Sequence, residues 1–436
     1  MASIPRDNPY LSASSFPRAG FGGVPWLLLL ATSMGYLLLF PPQVSVTIGP
    51  LILPAYRAAL LGAVFIILAA LFNGRLRICL PDLMILGAGV WMAFALSATM
   101  GFERASEGAG SQFVDCVIGY FFARTTLRSL TDLRMFLILL APGLFLTGAL
   151  IAAESLTGGY IVQPLFAALL GQADMLAASI GYNSRLGLLR APGPFPHPIL
   201  AGVFLGSFLT LYSFSAIRGW PKVVGFVAAC CAFFTISSAA LLVLMAGILT
   251  TLYNWASERV AILSWRNFVI VGSILFFVLE LATKSGTYSL LVRFASFNSS
   301  SSYYRVLTWR YGSASVVEHP VFGIGFAEYE RPAWMVISSI DHYWLLLAIQ
   351  YGIMTPLLVL GAAAYAVVKL GVRSSQYSLA DRRLLRGTAV ALAVFAMGAI
   401  SVTLWQSTQV WFFMLLGIAV SLAIATPSAR GTQTGQ

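Results

Sequence analysis

Charge is scarce in this sequence. Only 9% of its 436 residues are Asp, Glu, Lys or Arg, against about 25% in a soluble domain, so water cannot solvate most of the surface. With 59% hydrophobic residues, what remains is a polytopic membrane protein. Histidine occurs three times and cysteine four times. No histidine pair has i,i+4 spacing and no Cys/His cluster is present, so no metal site is expected. Cys79, Cys116, Cys230 and Cys231 lie in or beside apolar segments and read as packing residues. A cleavable signal peptide is not expected either: the first apolar run starts near Val24 without a small-residue cleavage site after it. The formal charge of +11 does not indicate a nucleic-acid partner. The basic residues come singly and in pairs between apolar runs, as orientation signals do.

Those apolar runs define the fold class, an all-α polytopic membrane protein. Measured against the roughly 20 apolar residues that cross a bilayer core, there are about twelve spans. They fall near 24–40, 57–73, 83–100, 112–124, 135–152, 198–216, 222–236, 239–255, 267–283, 343–369, 387–404 and 409–425. Residues 1–23 are polar and read as a tail. The segment Pro41–Tyr56 contains Pro41, Pro42, Pro50 and Pro54 and reads as interfacial or re-entrant. With the N-terminus inside, the inner loops gather most of the basic residues, among them Arg75, Arg77, Arg128, Arg134, Arg382 and Arg383. The positive-inside rule then places both termini in the cytoplasm. Two outer loops are long, about 153–197 and 284–341, and His197, His319 and His342 lie in or at the end of them.

The chain is organised around Ser299–Thr355, where charge, glycine and histidine concentrate. The serine run there can cap a helix from about Tyr303, and Pro320 stops it after His319. Earlier, Pro192, Pro194, Pro196 and Pro198 enforce an extended strap with Gly193 as its joint. The strap holds Arg190 at the membrane edge. An arginine there is costly unless it meets an anion, and its planar fork suits phosphate. The alternatives are snorkelling to a lipid headgroup or pairing with Glu154 or Asp174. Arg190 together with Arg305 and Arg310 on one side favours anion binding.

Four motifs in order carry a resemblance: Arg190–Pro198 (RAPGPFPHP), Tyr304–Trp309 (YRVLTW), His319–Phe326 (HPVFGIGF) and Asp341–Ile353 (DHYWLLLAIQYGI). Together they resemble the O-antigen ligase and polysaccharide polymerase superfamily, over roughly residues 185–370. The resemblance implies a helical membrane enzyme that moves or polymerises undecaprenyl-diphosphate-linked glycans at the periplasmic face, without metal or nucleotide cofactor. It makes 185–370, with the periplasmic loop 284–341, the catalytic region. The flanking regions are an N-terminal tail (1–23), N-terminal membrane helices (24–184), and C-terminal helices with a cytoplasmic tail (371–436). It also implies that Arg190 and Arg305 hold the lipid diphosphate. One departure bears on subtype: where the ligases carry His, this sequence has Asp341, with His342 one residue on, and such an Asp is similar to that of polymerase-like members. A flippase and a chain-length regulator are the partners implied.

The chemistry such residues support is inverting glycosyl transfer. Arg190 and Arg305, with Arg310 or Arg185, would stabilise charge on the departing diphosphate. Asp341 or His342 would take the proton of the acceptor hydroxyl. His342 has the better-matched intrinsic pKa, about 6.5 against about 3.9, and is the favoured base. Neighbours on a helix point about 100° apart, so both cannot face one atom equally. Glu328, Tyr304 and Trp309 are candidate sugar contacts. An O-antigen ligase, a transporter and a non-enzymatic component of polysaccharide export are the competing readings.

Overall fold

The structure, a computed structural model, describes residues 25–48, 51–171, 184–260, 262–283, 287–288, 299–336 and 338–425. The expected tails, 1–23 and the end of the chain from 426, lie outside the described residues, as does Asp174. The described chain is mostly helical. In order run α1 (Trp26–Leu37), the hairpin β1 (Ser45–Ile48) and β2 (Leu51–Pro54), α2 (Ala55–Phe72), α3 (Leu80–Met100), α4 (Phe102–Phe113), α5 (Gly119–Thr126), α6 (Leu130–Thr157) and α7 (Val162–Leu170). A second hairpin, β3 (Ser184–Arg185) and β4 (Leu188–Leu189), leads to α8 (Pro198–Phe214), α9 (Trp220–Cys230), α10 (Ser238–Ser257) and α11 (Trp265–Ala282). The chain then forms α12 (Ser299–Glu318), α13 (Tyr343–Tyr351), α14 (Met354–Ser374), α15 (Leu379–Gly398) and α16 (Gln406–Ile424). Among the described residues, seven helices are long and apolar enough to cross a membrane: α2, α3, α6, α10, α11, α14 and α16.

The bundle is built around α16, in which every residue from Ser407 to Ala423 is buried. Trp411 on α16 stacks on Phe208 of α8 at 4.6 Å and donates its indole N–H to Ser207 Oγ at 2.8 Å. The one polar atom of that large side chain is thus satisfied inside the core. Helix starts follow local chemistry. Ser129 and Asp132 form a reciprocal capping box on α6, and Ser264 and Ser378 cap α11 and α15 through Asn267 N and Asp381 N. Two buried ion pairs tie helices together: Arg124–Asp82 at 2.8 Å, and Arg57–Asp115 at 2.7 Å. Asp115 sits in a π-helical turn, Val114–Ile118, that joins α4 to α5.

The proline-containing stretch after α1, expected as interfacial or re-entrant and not as a span, folds into the short β1–β2 hairpin, antiparallel from Ser45–Pro54 to Ile48–Leu51, within an otherwise helical architecture. Two expectations are corrected. The short span expected at 112–124 is the end of a longer path, running from α4 through the π turn into α5. The single span expected at 343–369 is broken into α13 and α14.

The break has a defined cause. Gly352 has φ 80°, which ends α13 and leaves carbonyls without helical partners. The turn after α12 supplies them. Ile324 N donates to Ile349 O at 2.8 Å and Gly325 N to Gln350 O at 3.1 Å, while Ile353 N donates to Pro320 O at 2.9 Å. The approach is so close that a Cβ at Gly352 would overlap Val321 O, and one at Gly323 would overlap Ile349 O. The glycines of the 319–326 motif therefore dock this turn on the broken helix. Gly352→Ala combines a left-handed backbone with that overlap and is expected to cost about 4 kcal/mol or more. On size-exclusion chromatography of detergent extracts, its monodisperse peak should vanish.

Candidate functional site

A cavity of about 410 Å³ lies where α8, α10 and α13 begin. Its lining comprises Arg185, Arg190, His197, Ile199, Ser237, Ser238, Tyr304, Arg305, Thr308, Ser339 and Asp341. Five sequence-derived candidates from three separate segments, Arg185, Arg190, Tyr304, Arg305 and Asp341, are thus brought together.

Each comes by its own route. Arg185 lies on β3 and Arg190 follows β4 directly. The strap after Arg190 is anchored by the buried carboxylate of Glu154 on α6. Glu154 Oε2 accepts from Gly193 N at 2.9 Å, and Oε1 accepts from Ile161 N and Val162 N, each at 2.9 Å. Gln163 donates to Gly193 O at 3.3 Å and to Phe195 O at 3.0 Å. Gly193 has φ 55°, the joint that lets the strap turn. Glu154 is therefore spent on backbone amides and is not the counter-ion of Arg190. On α12, Tyr304, Arg305 and Thr308 all reach the cavity, Thr308 lying one turn beyond the other two at i+4 from Tyr304 and i+3 from Arg305.

The electrostatics favour an anion. Burial, then the charges of Arg185 and Arg305, lower the Arg190 guanidinium from its ordinary value to about 10. Its Nε is buried without a hydrogen-bond partner among the described residues. Arg305 Nε stands 3.8 Å from Asp341 Oδ2, an ion pair too long to be a hydrogen bond. His197 caps α8: its Nδ1 accepts from Ile199 N at 3.2 Å. Burial and then the nearby Arg190 and Arg185 pull it down to about 4. At neutral pH the ring is uncharged and carries its proton on Nε2, leaving a donor. Ser237 precedes α10, and its buried Oγ has no partner among the described residues. The partial positive charge of the α10 N-terminus adds to the arginines.

The depressed Arg190 value fixes a sign. A cation whose folded-state pKa is lowered costs folding free energy at all pH values below about 10, and the cost fades as pH rises through that value. An anion in the cavity relieves it at neutral pH. Inorganic pyrophosphate is therefore expected to raise the melting temperature of the detergent-solubilised protein at pH 7, by the equivalent of about 2.7 kcal/mol at a hundredfold excess over its Kd. The gain should shrink in Arg190→Gln.

The remaining candidates lie elsewhere. His342 is 6% exposed and is the cap of α13, with Nδ1 accepting from Leu345 N at 3.1 Å. Its ring packs on Trp309 at 5.0 Å and Tyr288 at 5.3 Å. Burial pulls it down to about 4, and the nitrogen that would act as a base is already bonded. It does not line the cavity, and neither does Trp309. Arg310, five residues beyond Arg305, points about 140° away on the helix and lies 5.9 Å over the ring of Tyr311. Glu328 pairs with Arg331 at 2.8 Å on the surface, and His319 is exposed.

His197, Ser237, Ser238, Thr308 and Ser339 were not expected at the site. The pair Ser237–Ser238 ahead of an apolar run is a legible helix-start signal, and His197 shares the strap of Arg190. Thr308 follows from the helical spacing after Tyr304. No protein-family model matches the sequence, and no curated protein does.

Proposed function

We propose that the protein is a membrane glycosyltransferase of the bacterial inner membrane that polymerises undecaprenyl-diphosphate-linked oligosaccharide repeat units. The observation that carries this reading is the convergence of Arg185, Arg190 and Arg305 with the carboxylate of Asp341 in one cavity. In the proposed topology the chain crosses about twelve times, both termini are cytoplasmic and the cavity faces the periplasm. The three arginines bind the diphosphate of the donor, with His197 and Ser237 as neutral donors beside them. The acceptor hydroxyl attacks the anomeric carbon from the face opposite the diphosphate, and Asp341 takes its proton. The sugar–oxygen bond breaks, undecaprenyl diphosphate leaves with the negative charge, and the configuration inverts. Stabilising that leaving charge is the main task, because a diphosphate is already a good leaving group. Tyr304 is the sugar contact nearest this chemistry.

An Asp at position 341, where ligases of the resembled superfamily carry His, favours polymerisation over ligation. Competition from transport is weakened because the cavity that gathers Arg185, Arg190, Arg305 and Asp341 lies at one end of the bundle, whereas a transporter places its site near the bilayer midplane. The test is the surface glycan profile of a deletion strain. Loss of long chains with single repeat units retained is expected. Long chains accumulating unattached on the lipid carrier would identify a ligase instead, and an unchanged profile would overturn both.

A further inference from the structure

The opposite end of the bundle holds a larger cavity, of about 610 Å³. It lies among the start of α1, the α2–α3 turn, the α5–α6 turn and the end of α16, and Arg75, Arg77, Arg124, Arg128 and Asp132 line it. The acids nearby are already engaged. Asp82 holds Arg124 through Nε and Nη2, each at 2.8 Å. Asp132 accepts from Arg128 N at 3.2 Å and Ser129 N at 3.0 Å as the cap of α6. Arg75, Arg77 and Arg128 are exposed and in no ion pair among the described residues.

A second cavity, of about 220 Å³, shares Leu27, Arg75 and Arg128 with the first and continues between α1 and α2 against Trp26, Phe65, Ile66 and Ala69. Trp26 and Phe65 are 56% and 78% exposed, so the walls of this slot face outward into what would be hydrocarbon. A basic mouth continuous with an apolar slot fits a molecule with a phosphate at one end and an acyl chain at the other.

We propose that this end of the bundle binds one anionic phospholipid, its phosphodiester against Arg75, Arg77 and Arg128 and an acyl chain along Trp26 and Phe65. The site lies at the end where Pro25 and Ala425 meet, so the lipid comes from the cytoplasmic leaflet in the proposed orientation. Charge selects the occupant. A free anion has no use for the apolar slot. The sequence that continues from Pro25 and Ala425, residues 1–24 and 426–436, carries Arg6, Arg18 and Arg430 against Asp7, a charge balance that does not complement a basic mouth. Basic pockets between membrane helices on the cytoplasmic side suit anionic headgroups for the same electrostatic reason, and a tryptophan at the rim is at home in the interface. The site is remote from the glycan cavity and does not depend on the function proposed for it.

The experiment is fluorescence quenching on the full chain, purified in detergent and stripped of lipid. Phosphatidylglycerol and phosphatidylcholine, each with brominated acyl chains, are titrated in turn. Phosphatidylglycerol is expected to give a saturable quench that phosphatidylcholine does not, and Trp26→Phe should remove it. Arg75→Gln and Arg128→Gln should each weaken it about fivefold; both side chains are exposed, so folding is spared. Equal quenching by the two lipids would overturn the proposal. So would wild-type affinity for phosphatidylglycerol in the variant lacking all three arginines, or a saturable quench that survives Trp26→Phe.

Discussion

Asp341→Asn is expected to reduce glycosyl transfer by about 10²–10⁴-fold, the range a positioned general base contributes. The amide keeps the size and polarity of the carboxylate but cannot take a proton. The side chain is 48% exposed and lines the cavity, so the substitution leaves the fold alone. It also removes the counter-charge 3.8 Å from Arg305, which should tighten binding of the anionic donor. The signature is therefore a large fall in kcat with KM unchanged or lower. His342→Ala is expected to behave differently. It deletes the cap of α13, worth about 1 kcal/mol, and empties the stack on Trp309 and Tyr288. Protein yield and thermal stability should drop, while the folded fraction retains transfer with an unaltered pH profile. Polymer yield against pH, at matched amounts of folded protein, separates the two.

Arg190→Lys is expected to lower transfer about 10²–10³-fold despite conserving charge. The planar fork meets two phosphate oxygens at once, whereas an ammonium is a point charge. The site also penalises lysine electrostatically. Burial and the two neighbouring arginines already pull Arg190 to about 10, and a lysine there starts from about 10.4. The same environment would drive it towards the neutral form near physiological pH. Raising the pH should then depress the Lys variant earlier than the wild type, which stays charged until about 10. Wild-type turnover of Arg190→Lys between pH 7 and 9 would leave the arginine only a structural role.

Much of the fold was legible because hydrocarbon length is read directly from sequence: α2, α3, α6, α10, α11 and α16 each overlap a run recognised as apolar, with starts two to five residues earlier, or one for α10. The break at Gly352 was not. Residues 343–369 are one apolar run, and only the distant turn at His319–Gly325, which supplies the hydrogen bonds, makes ending the helix favourable. Of the arginines singled out from the sequence, Arg185, Arg190 and Arg305 line one cavity and Arg310 does not; the reason for singling them out was that a guanidinium at a membrane edge is costly without an anion. Which of the two candidate bases faces the cavity could not be read from pKa matching. It depends on which residue caps α13, and Asp at a cap is commoner than His. Here His342 takes the cap, and Asp341 is left facing the cavity. Nor could spacing alone show that Glu154 is consumed in anchoring the strap, since its partners are backbone amides from Ile161, Val162 and Gly193. Arg75, Arg77 and Arg128 were read only as orientation signals; their common cavity with the α1–α2 slot required the fold.

The most direct test of the catalytic reading is a reaction with purified components. The full chain is reconstituted in vesicles and given undecaprenyl-diphosphate-linked repeat units in the presence of EDTA. Wild-type protein is expected to yield a ladder of longer lipid-linked glycans with inverted configuration at each new linkage, and Asp341→Asn, equally folded, is expected to yield almost none. A ladder of equal intensity from Asp341→Asn, or no ladder from folded wild-type protein supplied with its own repeat unit, would contradict the assignment of this cavity as the transferase site.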